Sequence, residues 1–217
     1  MTPRPCCRYY ILGEKHEKWS NRSGIDFFYG RGCASKSPEI SAIEDPILPA
    51  NERVLTCLFQ WDFMLYSFQA RKQGLDRERF ENYLLEEYTK NINPKDNRII
   101  ETAVKNGVSE IYTAEAIESN FLQAFSGSIH DGFKSCLDSQ GVASFENQLK
   151  GDIQLAQIVT LIAAAKNRGM TKAQMIEQYG GVSEERDMVI QHVYSRPDFN
   201  AGSFRLTLWA EAVKAIE

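Results

Sequence analysis

Thiol chemistry is the first possibility that this sequence raises, because three cysteines and a histidine lie within its first 33 residues. Cys33 follows the glycine-containing stretch Tyr29–Gly32 and shares its segment with His16 and Arg31. A thiol near a general base is the arrangement of a cysteine nucleophile, and flanking glycines let backbone amides approach an oxyanion. No third residue that would orient the histidine can be named. We therefore expect a protein that is not an enzyme, with a site built on Cys33, His16 and Arg31 as the alternative.

Two further cysteines, Cys57 and Cys136, fall in stretches with a helical pattern. The first lies early in the opening helix, and the second lies in the last helical segment of the first half. If that half closes as a bundle, the two helices could be neighbours and the sulfurs could meet. A disulfide in an exported protein, which stabilises by closing a long loop, is one interpretation. Two buried free thiols, which behave as small apolar side chains, are the other.

Metal, phosphate and cofactor sites have characteristic residue patterns that this sequence lacks. It contains no CxxC or HxxxH pair and no HExxH, GxSxG or Walker pattern. Gly30-Arg31-Gly32 has neither the ending nor the spacing of a phosphate loop. His130 and His192 fall in predicted helices with an acidic residue nearby, which favours solvated or capping histidines. We therefore expect no metal and no cofactor.

The charge is distributed unevenly along the chain. Residues 1–37 contain seven Lys/Arg and three Asp/Glu, whereas the whole chain has a formal net charge of -4. Basic residues interleaved with aromatic ones are typical of nucleic-acid contacts. Binding of nucleic acid through residues 1–40 is therefore one interpretation of this segment. Docking of the same segment on the acidic body, or on a partner protein, is the other.

The expected location follows from hydropathy. No stretch approaches the ~18 apolar residues of a membrane span, and the N-terminus shows no signal-peptide pattern. These features predict a cytoplasmic protein that makes no membrane contact. Export of a chain whose signal has been removed is the alternative.

Helical periodicity begins at residue 51 and continues to the C-terminus. Residues 1–50 are punctuated by glycine and proline, and only Arg8–Leu12 and Ile25–Tyr29 have the composition of strands. The predicted N-caps are Asn51, Asp76, Thr113, Ser144, Thr171, Ser183 and either Asn200 or Ser203, and Pro94 is predicted to open a helix. The expected class is mainly α, with an irregular or short β N-terminal arm.

An internal match suggests that the helical body is a bundle of two related units. Ala70–Arg77 lies over Ala165–Lys172 at an offset of 95 residues, with a glycine, a long apolar residue and an N-cap residue in the same order. The apolar stripe of residues 99–104 is paired with that of Met188, Val189, His192 and Val193, at an offset near 89. Shared turn chemistry between two unrelated helical corners is the alternative. The predicted division is an arm (1–50), unit 1 (51–140) and unit 2 (141–217).

The expected function is a non-catalytic helical module that binds another protein in a groove at the seam between the two units. The absence of catalytic patterns and the duplicated helical body favour it. An enzyme or a nucleic-acid-binding protein that uses the N-terminal segment are the alternatives.

Overall fold

A computed structural model describes the backbone of residues 48–90, 94–115 and 117–216, and the side chains of the same residues except 94–96. The predicted N-terminal arm with its two strands lies outside these residues. So do Cys33, His16 and Arg31, and the predicted nucleic-acid surface of residues 1–40.

The described part of the chain is helical. Helix accounts for 81% of it, and none of it lies in a strand, which confirms the mainly α class. The helices are α1 (Ala50–Lys72), α2 (Arg77–Thr89), α3 (Pro94–Thr113), α4 (Phe121–Ser126), α5 (Ser128–Ser139), α6 (Glu146–Asn167), α7 (Lys172–Tyr179), α8 (Glu184–Ser195) and α9 (Ala201–Ala212). Short 3-10 turns, Ala143–Phe145 and Val213–Ala215, precede α6 and follow α9. We call α1–α5 the first half and α6–α9 the second half.

Four of the predicted N-caps are confirmed by their hydrogen bonds. The side chains of Asp76, Thr171, Ser183 and Asn200 each accept from the backbone N–H three residues later. Thr171 also forms the predicted capping box with Gln174. Pro94 is the first residue of α3, where its missing N–H costs no helical hydrogen bond.

Three of the predicted N-caps are wrong. Asn51 lies inside α1, which begins after Pro49, and its side chain accepts from the N–H of the next residue. Thr113 ends α3 and donates its hydroxyl hydrogen to the carbonyl of Ser109 at 2.8 Å. Ser144 lies in the 3-10 turn before α6. Short polar side chains bond to the backbone within helices as well as at their starts, so residue type alone does not locate a helix end.

The largest apolar core draws on both halves. In it the ring of Trp61 stacks on Phe125 at 5.5 Å and meets Trp209 edge-on at 5.8 Å. Each half also has a smaller cluster of its own. The first-half cluster comprises Phe63, Ala70, Phe80, Leu84, Ile100, Ala103, Val104 and Val108. The second-half cluster comprises Val159, Ile162, Ala163, Ala165, Met175, Val189, Ile190, Val193 and Ala201. Residues 48–217 form one compact unit.

The corners at Gly74 and Gly169 have the same backbone structure. The two glycines have φ of 73° and 88°, in the left-handed region that other residues rarely adopt. In each corner, the N–H of the following residue donates to the carbonyl five residues earlier, at 3.0 and 3.1 Å. This is the Schellman pattern of a helix C-terminus. The structure therefore places equivalent helix-to-helix turns at both positions.

A basic side chain joins each of these corners to the end of a later helix. Arg71 donates to the carbonyl of Ile111, near the end of α3, and to that of Ala114 at 2.9 Å. Lys166 donates to the carbonyl of Val193, near the end of α8, at 2.8 Å, and to the carbonyl three residues further on. Cations in these places satisfy carbonyls that a helix end leaves without partners.

A tyrosine makes a second matched contact across the same corners. The hydroxyl of Tyr112, in α3, donates to the carbonyl of Leu75 at 2.9 Å. The hydroxyl of Tyr194, in α8, donates to the carbonyl of Met170 at 2.8 Å. The two tyrosines are 82 residues apart in the chain. At this offset, α3 and α8 end at equivalent residues.

The offset of 82 differs from the pairing near 89 that the apolar stripe suggests. The two values differ by seven residues, about two helical turns, and a helical stripe repeats at that distance. At the offset of 82, the three buried apolar residues of α8 all fall on buried positions of α3. The pairs are Val189 with Gly107, Ile190 with Val108, and Val193 with Ile111.

Candidate functional site

A buried ion pair joins α1 to α9 where the two halves meet. Arg205 donates through Nε to Asp62 Oδ1 and through Nη1 to Thr160 Oγ1, the second at 3.0 Å. Its Nη2 donates to the hydroxyl of Tyr66 at 3.2 Å. The indole Nε1 of Trp209 donates to Asp62 Oδ2 at 2.8 Å. Both carboxylate oxygens and all three guanidinium nitrogens therefore have partners.

Burial sets the electrostatics of this pair. Asp62 and Arg205 are 3% and 2% exposed. Burial raises the pKa of Asp62, and the neighbouring Arg205 and Trp209 offset part of that rise. Burial alone would lower the pKa of Arg205, but the neighbouring Asp62, Tyr66 and Tyr88 together outweigh it and the net direction is upward. The paired and enclosed charges of Asp62 and Arg205, with their hydrogen-bond partners, hold α1, α6 and α9 together. These side chains fill the part of the seam that they occupy, where a groove was predicted.

Cys57 of α1 and Cys136 of α5 form a disulfide, with their Cα atoms 5.6 Å apart. Both lie in the largest core and are buried. The sequence had left a disulfide and two free thiols open for this pair. At the offset of 95, Asp152 takes the place of Cys57 in the second half. The bond is therefore a feature of the first half.

The described residues contain no group of three or more His, Cys, Asp or Glu that could hold a metal ion. His130 is exposed, and the ring of His192 packs edge-on against Phe199 at 5.6 Å. None of the helices built from the described residues combines the length and the apolar character that a membrane span requires.

Four large apolar side chains are exposed where α7 turns into α8. Ile176, Tyr179, Val182 and Met188 are 44%, 41%, 64% and 60% exposed, and we call these four residues the apolar corner. Ile176 and Tyr179 are three residues apart and so share one face of α7. The turn between the helices is held by the N–H of Gly181, which donates to the carboxylate of Asp187 at 3.0 Å. The four residues lie within 13 consecutive residues of the chain, and apolar side chains that are exposed next to one another mark interaction sites.

One residue of the apolar corner corresponds to a buried residue in the first half. Tyr179 corresponds at the offset of 95 to Leu84, which is 2% exposed and belongs to the first-half cluster. Val182 lies in the turn before α8, outside the helix that the offset of 82 pairs with α3. The second half therefore exposes a position that the first half covers.

The other two residues of the corner are apolar where the first half is polar. Ile176 corresponds to Glu81 at the offset of 95, and Met188 corresponds to Asn106 at the offset of 82. A solvated surface would favour the polar residues. The apolar residues in the second half favour a surface that another molecule covers.

Acidic residues outnumber basic ones in the segment that contains the apolar corner. Four acidic residues lie between residues 172 and 188, against two basic residues. The acidic residues are Glu177, Glu184, Glu185 and Asp187, and the basic ones are Lys172 and Arg186. Glu177, Glu184 and Glu185 are exposed. We call the four acidic residues the acidic rim.

The apolar corner was missed by sequence reasoning. Met188 was assigned to the buried stripe of α8, but it is exposed and Ile190 is buried in that helix instead. The available signal was the comparison of the halves, with Ile176 standing where the first half has Glu81. That pair needs only the offset of 95, whereas the pair of Met188 with Asn106 requires the offset of 82, which the structure supplies through Tyr112 and Tyr194.

Comparisons of the chain with protein-family models, with curated proteins and with solved structures gave no match.

Proposed function

We propose that this chain is a non-catalytic helical module that binds another protein through the apolar corner. The observation that carries the proposal is the exposure of Ile176, Tyr179, Val182 and Met188 together. Interfaces bury such side chains at their centre and keep polar residues at the rim, as the acidic rim does here. The corner replaces the seam as the proposed site because the charged cluster of Asp62 and Arg205 is enclosed there.

The proposal includes an internal duplication, in which the second half is a shortened copy of the first. The matched corners, the matched basic side chains and the matched tyrosines support it. The offset falls from 95 at the corners to 82 at the tyrosines, so the second half is 13 residues shorter between them. The predicted units of 51–140 and 141–217 agree with this arrangement.

The disulfide bears on where the module works. Disulfides persist in oxidising compartments and are rare in the cytosol. The bond between Cys57 and Cys136 therefore favours the exported alternative over the cytoplasmic one. Intact-mass measurement of protein isolated from its native source, alkylated with and without reductant, tests this. Full alkylation without reductant would contradict it.

The binding surface can be tested with two matched double variants. The corner variant carries Tyr179→Ser and Val182→Ser. The control variant carries Tyr83→Ser and Leu122→Ser, which remove side chains of similar type with 44% and 64% exposure in the first half. Because all four positions are exposed, we expect both variants to keep the thermal stability of the wild type.

The readout is affinity capture from the cells that make the protein, with the bound proteins identified by mass spectrometry. We expect the wild type and the control variant to retain the same partner and the corner variant to lose it. Retention of the same proteins by all three forms would contradict the proposed surface.

A further inference from the structure

We propose that the partner presents an amphipathic helical segment with basic residues, and that this segment lies where the start of α3 lies in the first half. The inference rests on the proposed function and names the chemistry of the partner. Its basis is the comparison of the two halves around the apolar corner.

The first step concerns the length of the helices that end at Tyr112 and Tyr194. At the offset of 82, the first residue of α8, Glu184, corresponds to Thr102 of α3. The eight residues of α3 before Thr102 therefore have no counterpart in the second half. At 1.5 Å per residue they form about 12 Å of helix, or roughly two turns.

The second step concerns what the additional chain of the first half covers. Ile100, on the unmatched turns of α3, is buried in the first-half cluster. Leu85 and Tyr88, near the end of α2, pack on the same cluster, and the ring of Tyr88 meets Phe63 edge-on at 5.0 Å. Because α7 ends at the residue that corresponds to Leu84, the second half has no counterpart of the last turn of α2 either.

The third step is that the corresponding positions of the second half are more exposed. Two members of the first-half cluster, Phe63 and Leu84, have the more exposed counterparts Ile158 and Tyr179. A short helix with an apolar stripe would cover these positions in the second half as α3 covers them in the first.

The fourth step uses charge to choose the occupant. The acidic rim attracts basic residues and repels acidic ones. An anionic membrane surface is disfavoured for the same reason. A second copy of the chain would place the same acidic rim against itself across a two-fold axis, which is also disfavoured. A basic amphipathic segment of another protein fits both the apolar and the charged features.

Binding can be measured with three labelled peptides. The first has the sequence of residues 94–108 of this chain, with both ends blocked, because it contains the turns that the second half lacks. The second carries Ile99→Ser, Ile100→Ser and Val104→Ser, which remove the apolar stripe. The third carries Glu101→Lys, which makes the peptide more basic. Fluorescence anisotropy against the wild type, the corner variant and the control variant gives the affinities.

We expect the first peptide to bind the wild type and the control variant equally, and the corner variant at least about tenfold more weakly. The peptide without the apolar stripe should show no binding. The more basic peptide should bind several-fold more tightly than the first at low salt, and this advantage should disappear at about 1 M salt, where the Debye length is only ~3 Å.

Each contrary result overturns the inference in a different way. Equal binding of the first two peptides, or equal binding by the corner variant, would show that no apolar helix is recognised there. Corner-dependent binding to vesicles with anionic lipid would assign the surface to a membrane. Corner-dependent self-association in sedimentation would assign it to a second copy. If the peptides fail while affinity capture still depends on the corner, the partner chemistry is wrong and the proposed function stands; if both fail, both are wrong.

Discussion

The helical corners at Gly74 and Gly169 share their backbone and the side chains that hold them, but they differ in what covers the helices beyond. In the first half, Leu84 is buried in one cluster with Ile100 from the start of α3. In the second half, the corresponding Tyr179 is exposed. The comparison shows that the residues of a helix-to-helix turn determine its backbone geometry. The length of chain between that turn and the next long helix determines which apolar side chains stay exposed to solvent.

Removing the disulfide, which only the first half contains, should give the largest loss in the free energy of unfolding. Cys57→Ala with Cys136→Ala opens a loop with a sequence separation of 79 residues. Loop-closure entropy predicts a loss of about 4 kcal/mol in the free energy of unfolding. Urea unfolding measures it, and reduction of the wild type should give a similar loss. A change below about 1 kcal/mol would mean that the bond contributes little to the stability of the first half.

The next effect concerns the ion pair that fastens α9 of the second half to α1 of the first. Arg205→Met leaves Asp62 buried without its cation, and we expect a loss of about 4 kcal/mol. Combining it with Asp62→Leu removes the unpaired charge, so much of the stability should return. Denaturant midpoints of the two variants measure this. If the double variant were as unstable as the single one, packing rather than the unpaired charge would be responsible.

The difference in coverage can be tested with one alanine substitution in each half. Leu84→Ala removes a buried side chain, and we expect a loss of about 3 kcal/mol. Tyr179→Ala, at the corresponding position, should change stability by less than about 0.5 kcal/mol because the side chain is exposed. Thermal unfolding of both variants tests the contrast. Equal losses would show that Tyr179 is as well packed as Leu84.

The tyrosine hydrogen bond is common to the corners at Gly74 and Gly169, so we expect its removal to lower the free energy of unfolding equally in both. Tyr112→Phe and Tyr194→Phe each remove one hydrogen bond to the carbonyl after the corner glycine. Each should cost about 1 kcal/mol. Urea unfolding of both variants would measure the losses. A loss in only one of them would argue against equivalent corners.

The smallest expected effect concerns the N-terminal caps of α5 and α9, the last helix of each half. We expect the stability that the cap of α5 provides to depend on pH, and that of the cap of α9 not to. The carboxylate of Glu118 accepts from the N–H of Ser128 at 2.8 Å and from its hydroxyl at 3.0 Å. Partial burial opposes the charge of Glu118, but these hydrogen bonds outweigh it and lower the pKa below the usual 4.5. A lowered pKa stabilises the fold above the unfolded-state value, and this contribution is lost as the pH falls through the folded-state value.

Glu118→Gln should therefore be less stable than the wild type by about 1 kcal/mol at pH 7, and the two should converge as the pH falls below 4.5. The matched control is Asn200→Ala, which removes the cap of α9. Asn200→Ala should lower the free energy of unfolding by a similar amount at pH 7. The loss should be equally large at pH 3, because an amide does not titrate. A gap for Glu118→Gln that persists at pH 3 would contradict the role of its charge.

Local chemistry made much of the fold predictable. Asp76, Thr171 and Ser183 could be recognised as caps because each precedes a run of apolar residues at helical spacing. Gly74 and Gly169 could be recognised as helix ends because the left-handed conformation favours glycine.

Contacts between distant residues were not predictable in the same way. Asp62 and Arg205 are 143 residues apart, and no local pattern pairs them. The stripe pairs α3 with α8 seven residues away from the pairing given by Tyr112 and Tyr194, because an apolar stripe looks the same after two turns. The exposure of Tyr179 depends on what packs over the end of α7, so the residue itself carries no signal of it.

The bond between Cys57 and Cys136 also affects how the protein withstands proteases. A single cut at any peptide bond between these two residues leaves two fragments that remain covalently joined. Such a nicked molecule keeps α1 and α5 together in the largest core, and it would migrate as one chain until it is reduced. The second half has no such tether, and a cut between α6 and α9 would leave its pieces held by noncovalent contacts, among them the ion pair of Arg205 and the hydrogen bonds of Lys166 and Tyr194.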